Sequence, residues 1–408
     1  MDNKKTNTTA KSSSASASTG TRAKAGTKPR TGAKVKSGSR KKSSSKSGGF
    51  ISSFKRKPLW YRVFMITSAV MVVVLLGMIA YAYRLMGLVN HDDGQNFNQE
   101  STEYFETVEN PEDYTNLPVA SIETLEHEGD GRSEPGVYNI LLLGLDKDSG
   151  NLSDSMIVVT IDTNDKELKL TSFMRDTLVS IPGYSNNKMN TVYRTGGIEL
   201  MKEVFAKNFN LCIDGYVAVN FSSLTQVIDK LGGVSVYMTE AEAEFLNTSN
   251  YIADPQYRNL DVYTGTHWLN GSQATGYARV RFVDKGYEAD DYARTSRQRQ
   301  ILTAIYDQFK NQSLTELLSL METVLPLVTT DLTVAEMTDI ATRSVAAGVL
   351  SADMEQFRIP VNQSFQDSWY NGMLVLDIDF EKNIEELHNF IFGSENPETG
   401  LSIEAPAN

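Results

Sequence analysis

Residues 137–162 read VYNILLLGLDKDSGNLSDSMIVVTID, and the architecture is decided here. Two short apolar runs, 137–145 and 156–162, flank a polar segment of Asp, Lys, Ser, Gly and Asn that interrupts both. Each run is shorter than a helix needs and almost continuously apolar, which is the pattern of a strand covered on both faces. Residues 167–173 alternate into a third strand. Covering such a sheet takes helices, and the chain supplies them downstream. Helical spacing runs over 197–209, a strand follows at 216–220, a helix at 222–231 closed by Gly232, and a strand at 234–237. Further helices are predicted over 271–280, 294–310, 314–327, 334–347 and 381–392, with a short strand at 357–361. Strands alternating with helices predict a layered α/β sandwich.

The chain of 408 residues carries a formal charge of -12, and that figure averages two opposite parts. Residues 1–57 hold 16 Lys and Arg with only Asp2, which leaves 23 basic against 50 acidic residues afterwards, or +15 followed by -27. The first part is built of Ser, Lys, Ala, Thr and Gly and lacks the apolar surface to offset its ordering entropy, so it reads as a disordered tail. By composition it suits either a nucleic acid or an anionic lipid surface. The adjoining segment favours lipid. Residues 63–83 carry no charge, and at about 1.5 Å per residue this run matches a hydrocarbon core roughly 30 Å thick. Trp60, Tyr61, Tyr81 and Tyr83 flank it, and Lys55, Arg56, Lys57 and Arg62 precede it. The sequence therefore predicts one transmembrane helix over 60–84, with the tail cytoplasmic, an acidic extracytoplasmic spacer over 86–136, a domain over 137–393 and a polar tail over 394–408. One cysteine, Cys212, excludes disulfide scaffolds and cysteine-based metal clusters.

No P-loop, G-x-G-x-x-G, G-x-S-x-G or H-E-x-x-H motif is present, which removes the commonest NTPases and hydrolases. Two constellations carry chemistry instead. Asp146 closes one strand and Asp154 opens the next, so adjacent strands would bring the carboxylates to one sheet edge. They are either turn caps or a hard-oxygen pair for Mg²⁺ with a phosphorylated substrate. Arg279, Arg281, Arg294, Arg297 and Arg299 fall within 21 positions, and Arg175 opens a turn after the third strand. Such guanidinium groups either bind phosphate oxygens bidentately or pair with Glu288, Asp290 and Asp291. Gln298 shares a helix face with Arg294, whereas Arg299 is rotated away and expected in solvent.

The segment 137–310 resembles the LytR-CpsA-Psr family. The resemblance rests on NILLLGLD, LSDSM, SFMRDTLVSIPG, KMNTVYRTGG, DGYVAVNF, LGGV, LNGSQATGYARVR and DYARTSRQRQ, in the family's order. It implies an α/β/α sandwich around a mixed central sheet, with an apolar cleft for a polyprenyl chain and a charged mouth for its pyrophosphate. It also implies a single-pass membrane phosphotransferase. That enzyme would move an anionic glycopolymer, teichoic-acid-like or capsular, from undecaprenyl pyrophosphate to peptidoglycan, leaving a phosphodiester link and engaging no nucleic acid.

Position by position, the resemblance makes Asp146 and Asp154 ligands of Mg²⁺. Arg175, Lys188, Asn190, Arg279, Arg281, Arg294 and Gln298 become pyrophosphate-binding residues, with Arg175 and Arg294 also acting in catalysis. Asp291 becomes the group that takes the acceptor proton. Leu152 stands where many members have arginine. Phe173, Val217, Val219, Phe221, Leu224, Val227, Ile228 and Leu231 are expected either to line the lipid cleft or to belong to the core. A polyprenyl-pyrophosphate hydrolase and a non-catalytic lipid-binding regulator would draw on many of the same residues.

Overall fold

A computed structural model of the chain describes residues 59–92, 117–120, 122, 127, 129–146, 151–281, 283, 290–393, 395–396 and 401–402. The basic segment 1–57, most of the expected spacer and most of 394–408 lie outside them. The chain divides into two units, Met1–Ala69 and Val70–Asn408. The described part of the first is the beginning of a 28-residue helix, α1 (Leu59–Met86). Among the residues whose side chains are described, no helix is long and apolar enough to cross a membrane. The uncharged run extends through positions of α1 outside that set.

The segment after α1 departs from the expected spacer. Leu85 and Val89 are buried, and Asn90–His91 pairs in parallel with Thr329–Thr330 at the edge of the main sheet. Asn90 Nδ2 donates to the Pro326 carbonyl at 2.7 Å. Tyr81 and Arg84, in the last turns of α1, both reach the Glu322 carboxylate, at 2.9 and 3.3 Å. The chain thus enters the sheet directly from the helix end.

The main sheet is built from β1 (Val137–Asp146), β2 (Leu152–Asp162), β3 (Glu167–Phe173), β4 (Gly215–Asn220) and β7 (Met354–Ile359). Its order runs Asn90–His91, Thr329–Thr330, β4, β1, β2, β3, β7. Pairs β1/β2 and β2/β3 are antiparallel, whereas β1/β4 and β3/β7 are parallel, so the sheet is mixed as the resemblance implied. β2 starts four positions earlier than the apolar run because residues 152–155 still pair with the end of β1. Side chains alternate across the sheet. Leu141, Leu143, Met156, Val158, Phe173, Tyr216 and Ala218 meet α2 (Val192–Phe209) and α9 (Phe380–Phe392) in the principal core. Gly196 and Gly197 are non-helical, Gly197 at φ 70° and ψ -159°, and they separate the first turn of α2 from the rest, so the long regular helix starts where the apolar spacing does.

The other side is covered by α3 (Phe221–Lys230), α5 (Gly271–Arg279), α6 (Asp290–Lys310) and α7 (Leu314–Val324). β5 (Val234–Met238) pairs with β6 (Gly265–Leu269) as a separate ribbon, not in the main sheet, and this ribbon carries a second core shared with α3, α5 and α6. Sequence periodicity missed α4 (Glu240–Thr248), although the capping box Thr239/Glu242 marks its start. It also missed the hairpin β8 (Phe365–Tyr370) and β9 (Met373–Ile378). α8 (Val334–Ala347) follows the Thr329–Thr330 strand.

Glu242 also meets one member of the arginine cluster. Arg297 and Glu242 are both buried, with Nε to Oε1 at 2.7 Å, and Arg297 donates further to the carbonyls of Val280 and Val283. This arginine fastens α6 to α4 and to the strand-like exit of α5, so it is a strut. Removing one partner of such a pair leaves an uncompensated buried charge. Glu242→Ala is expected to lower unfolding stability by roughly 3–5 kcal/mol in denaturant titrations. A loss below about 1 kcal/mol would mean that the pair does not hold these elements together.

Candidate functional site

The functional edge of the sheet is where β1 and β4 end and β2 begins. Gly144 pairs with Ser155 and Leu145 with Ser153, so Asp154 is the extra residue of a β-bulge. Bulges re-aim a side chain out of the strand's alternation, and Asp154 is turned toward Arg175. Beyond β3 the chain makes a tight turn, with Thr177 N donating to the Met174 carbonyl at 3.3 Å. The segment Lys188–Asn190 is laid against this turn: Met189 N donates to Thr177 O at 2.9 Å and Asn190 N to Arg175 O at 3.1 Å. Ser153 Oγ donates to Asn190 O at 3.1 Å and ties the start of β2 to the same place. Three elements distant in sequence are thereby fixed around one guanidinium.

Arg175 Nη1 donates to Asp154 Oδ1 at 3.0 Å, and Nε reaches Asp291 Oδ2 at 2.9 Å and Asp176 Oδ2 at 3.3 Å. Asp291, in the first turn of α6, also accepts from Arg294 Nη2 at 3.0 Å and lies 3.5 Å from Arg281 Nε. Lys188 Nζ contacts Asp176 Oδ1 at 2.9 Å. Burial works against the charged form of Asp176, but the Arg175 and Lys188 cations outweigh it and hold the carboxyl below its usual range. Burial lowers Arg294 to about 10, which leaves it protonated at neutral pH. Arg294 Nε and Asn190 Oδ1 are buried without a hydrogen-bond partner among the described residues. A buried cationic donor left open is costly unless a ligand completes it.

The predicted residues Asp154, Arg175, Lys188, Arg281, Asp291 and Arg294 therefore form one network, with Asn190 beside it. Asp176 belongs to the network and was not anticipated, although it is the direct neighbour of Arg175. Arg279 stands apart from these ion pairs: it is exposed, with its guanidinium 4.8 Å from the Phe221 ring centroid. Arg299, expected in solvent, is buried and donates to Gln356 Oε1 at 3.3 Å, because that face of α6 packs on β7. Leu152, at the position where the resemblance implied an arginine, is buried.

Beside the network lies an apolar cavity of about 350 Å³ between the second face of the sheet and helices α3, α6 and α7. Val217, Val219, Phe221, Leu224 and Val227 line it as expected, together with Leu142, Ile157, Ile301, Leu302, Ile305, Val324 and Val328. Gln298 also lines it, one helical turn beyond Arg294. Three expected cleft residues lie elsewhere. Phe173 is in register with Met156, which puts it on the opposite sheet face against Phe205 and Phe209 at ring distances of 4.8 and 5.0 Å. Ile228 belongs to the second core, and Leu231 is buried at the end of α3 outside the cavity lining. The missed residues follow from the alternation of NILLLGLD and from the apolar stripe of α6.

Asp146 ends β1 at this edge, and its side chain lies outside the described residues. Asp154 offers hard carboxylate oxygens, one of which accepts from Arg175, so this donor is chemically suited to Mg²⁺. The triad Asp162, Asp165 and Glu167 also places carboxylates within 4.8 Å of one another. It sits at the opposite end of β2, where Asp162 Oδ1 caps the turn amides of Asn164 and Asp165.

A larger side chain in a void of this size should fill space without strain. Val217→Trp is expected to keep the melting temperature within a few degrees while weakening binding of a polyprenyl phosphate at least about tenfold. Unchanged lipid affinity in the variant would show that the cavity does not take the chain.

A family model described as the LytR_cpsA_psr family matches residues 95–389. The regulatory protein MsrR of Staphylococcus aureus (strain COL) is 33% identical over 180 residues, covering 43% of this chain and 50% of that protein. The polyisoprenyl-teichoic acid–peptidoglycan teichoic acid transferase TagV of Bacillus subtilis (strain 168) is 33% identical over 183 residues, covering 43% of this chain and 44% of TagV. The chain thus spans about half the length of the curated relatives it matches. The solved structure of TagT bound to LI-WTA superposes with a TM-score of 0.51 at 22% identity, over 67% of this chain and 99% of that one, which is a likeness of fold. The family match takes in more than half of the chain and every residue of the ion-pair network, and the chain belongs to the LytR_cpsA_psr family.

Proposed function

We propose that the chain is a membrane-anchored phosphotransferase that moves an anionic glycopolymer from a polyprenyl pyrophosphate to peptidoglycan. The observation that carries the reading is the juxtaposition of an apolar cavity with a guanidinium cluster that keeps an open buried donor. Leu145 and Ser155 line the cavity next to Asp146 and Asp154, and Gln298 lines it one turn from Arg294. A lipid tail and its diphosphate would need these two environments side by side. The relative TagV is named as a teichoic acid transferase, which agrees in reaction class.

In this reading the lipid occupies the cavity, and its diphosphate draws Arg175, Arg281 and Arg294 away from Asp291. Lys188, Asn190 and Arg279 add donors around it. Asp146 and Asp154 would hold Mg²⁺, which supplies charge neutralisation for the diphosphate oxygens. The acceptor hydroxyl oxygen attacks the phosphorus that carries the glycopolymer, and the bond from that phosphorus to the bridging oxygen breaks. Asp291 takes the hydroxyl proton, a phosphodiester forms and lipid monophosphate leaves. α1 would cross the membrane, with residues 1–57 cytoplasmic and the domain outside, supported by the uncharged run and its basic flank.

The test gives the full chain in detergent a synthetic lipid-pyrophosphate sugar and peptidoglycan fragments, with Mg²⁺ or EDTA, and follows products by mass. A magnesium-dependent sugar–phosphate adduct that is lost in Asp154→Ala is the expected result. Lipid cleavage without adduct would make the chain a hydrolase, and lipid binding without turnover would make it a receptor.

A further inference from the structure

The β5/β6 ribbon presents two large aromatic side chains to solvent. Trp268 is 57% and Tyr237 58% exposed, although the ribbon's other face is firmly seated in the second core through Val234, Val236 and Leu269. Ser235 pairs with Trp268 and Tyr237 with Thr266. The two aromatic residues are therefore diagonal neighbours on one face, a spacing within reach of a single ligand, with hydroxyls of Ser235 and Thr266 completing the patch.

Trp268 is also held in place. Its indole Nε1 donates to the Gly232 carbonyl at 3.0 Å, and a Cβ at Gly233 would lie 2.5 Å from that nitrogen. The ring is thus tied to a Gly-Gly turn whose second residue has no side chain to hold it off. A fixed, exposed indole loses little freedom when something stacks on it.

Charge narrows the partner. Across 229–269 the acidic residues Asp229, Glu240, Glu242, Glu244, Asp254 and Asp261 stand against Lys230 and Arg258, and Asp229, Lys230, Glu240, Glu244 and Asp261 are exposed. The net negative charge of this segment disfavours an anionic bilayer surface or an anionic polymer, whereas an uncharged ligand with apolar ring faces and hydroxyl edges meets no such penalty. We propose that the Trp268/Tyr237 face binds an uncharged saccharide strand, with pyranose faces stacked on the rings and hydroxyls hydrogen-bonded at Ser235 and Thr266. The choice of an N-acetylhexosamine chain as ligand rests on the acceptor named for the transferase reading. The binding itself requires no turnover, so its failure leaves that reading untouched.

The chain has three tryptophans, Trp60, Trp268 and Trp369, so Trp60→Phe/Trp369→Phe leaves Trp268 as the sole indole reporter. Full-length protein of this kind in detergent is titrated with a hexamer of β-linked N-acetylglucosamine. The expected result is a saturable change in Trp268 emission, weakened at least about fivefold by Tyr237→Ala, whose emission without ligand stays unchanged. Calorimetry on the otherwise native chain should show the affinity lost in Trp268→Ala and largely kept in Trp268→Phe. Absence of a saccharide response, or equal affinity in Trp268→Ala, would overturn the proposal. So would quenching of Trp268 by brominated lipids after reconstitution in bilayers, which would make the patch a membrane-facing surface.

Discussion

The Arg175 guanidinium is bonded at once to Asp154 from the β2 bulge and to Asp291 from α6, at 3.0 and 2.9 Å. That shared contact ties the start of one strand, the turn after another and the first turn of a helix into a single charged cluster. Four cations, Arg175, Lys188, Arg281 and Arg294, face three carboxylates, Asp154, Asp176 and Asp291, at the sheet edge. In this cluster the carboxylates accept from Arg175 Nε and Nη1 and from Arg294 Nη2. An incoming diphosphate would compete for those donors and offer more negative charge than Asp291 does, so ligand binding and exposure of the carboxylate are coupled through one set of hydrogen bonds.

The second constraint is a sheet face left partly uncovered. α2 and α9 fill one side with interdigitated aromatic and aliphatic residues, while α3, α6 and α7 stand off the other and leave the cavity. Val324 and Val328, at the cavity's apolar end, flank the turn whose Pro326 carbonyl binds Asn90, three residues beyond Gly87. The end of α1 is therefore built into the same corner of the domain as the cavity. In the proposed reading, with α1 crossing the membrane, the path from the membrane to the cavity would be short.

Much of this was legible in the sequence. The apolar runs of β1, β2 and β3 gave themselves away by length and composition, and their adjacency alone brought Asp146 and Asp154 to one edge. What the sequence hid was register and face. Phe173 looks like any strand aromatic until its pairing with Met156 assigns it to the core side. Arg297 reads like the other arginines of its cluster and Arg299 like a solvated one, yet helix rotation buries the first against Glu242 and the second against β7. Asp176 was overlooked because nothing in its spacing distinguishes a turn carboxylate from one clamped between two cations. The ribbon β5/β6 was half seen, since Gly265–Leu269 is too short and too interrupted by glycine and histidine to read as a strand.

In the proposed reaction Asp291 and the diphosphate would compete for the same arginines. Calorimetric titration of a short polyprenyl pyrophosphate into the wild-type chain and Asp291→Asn measures this competition directly. The predicted result is tighter binding by the variant, by roughly several-fold, because a neutral amide holds the guanidinium groups less firmly than a carboxylate. Weaker binding by Asp291→Asn would contradict the claim, since it would make Asp291 a support of the pyrophosphate site instead of its competitor.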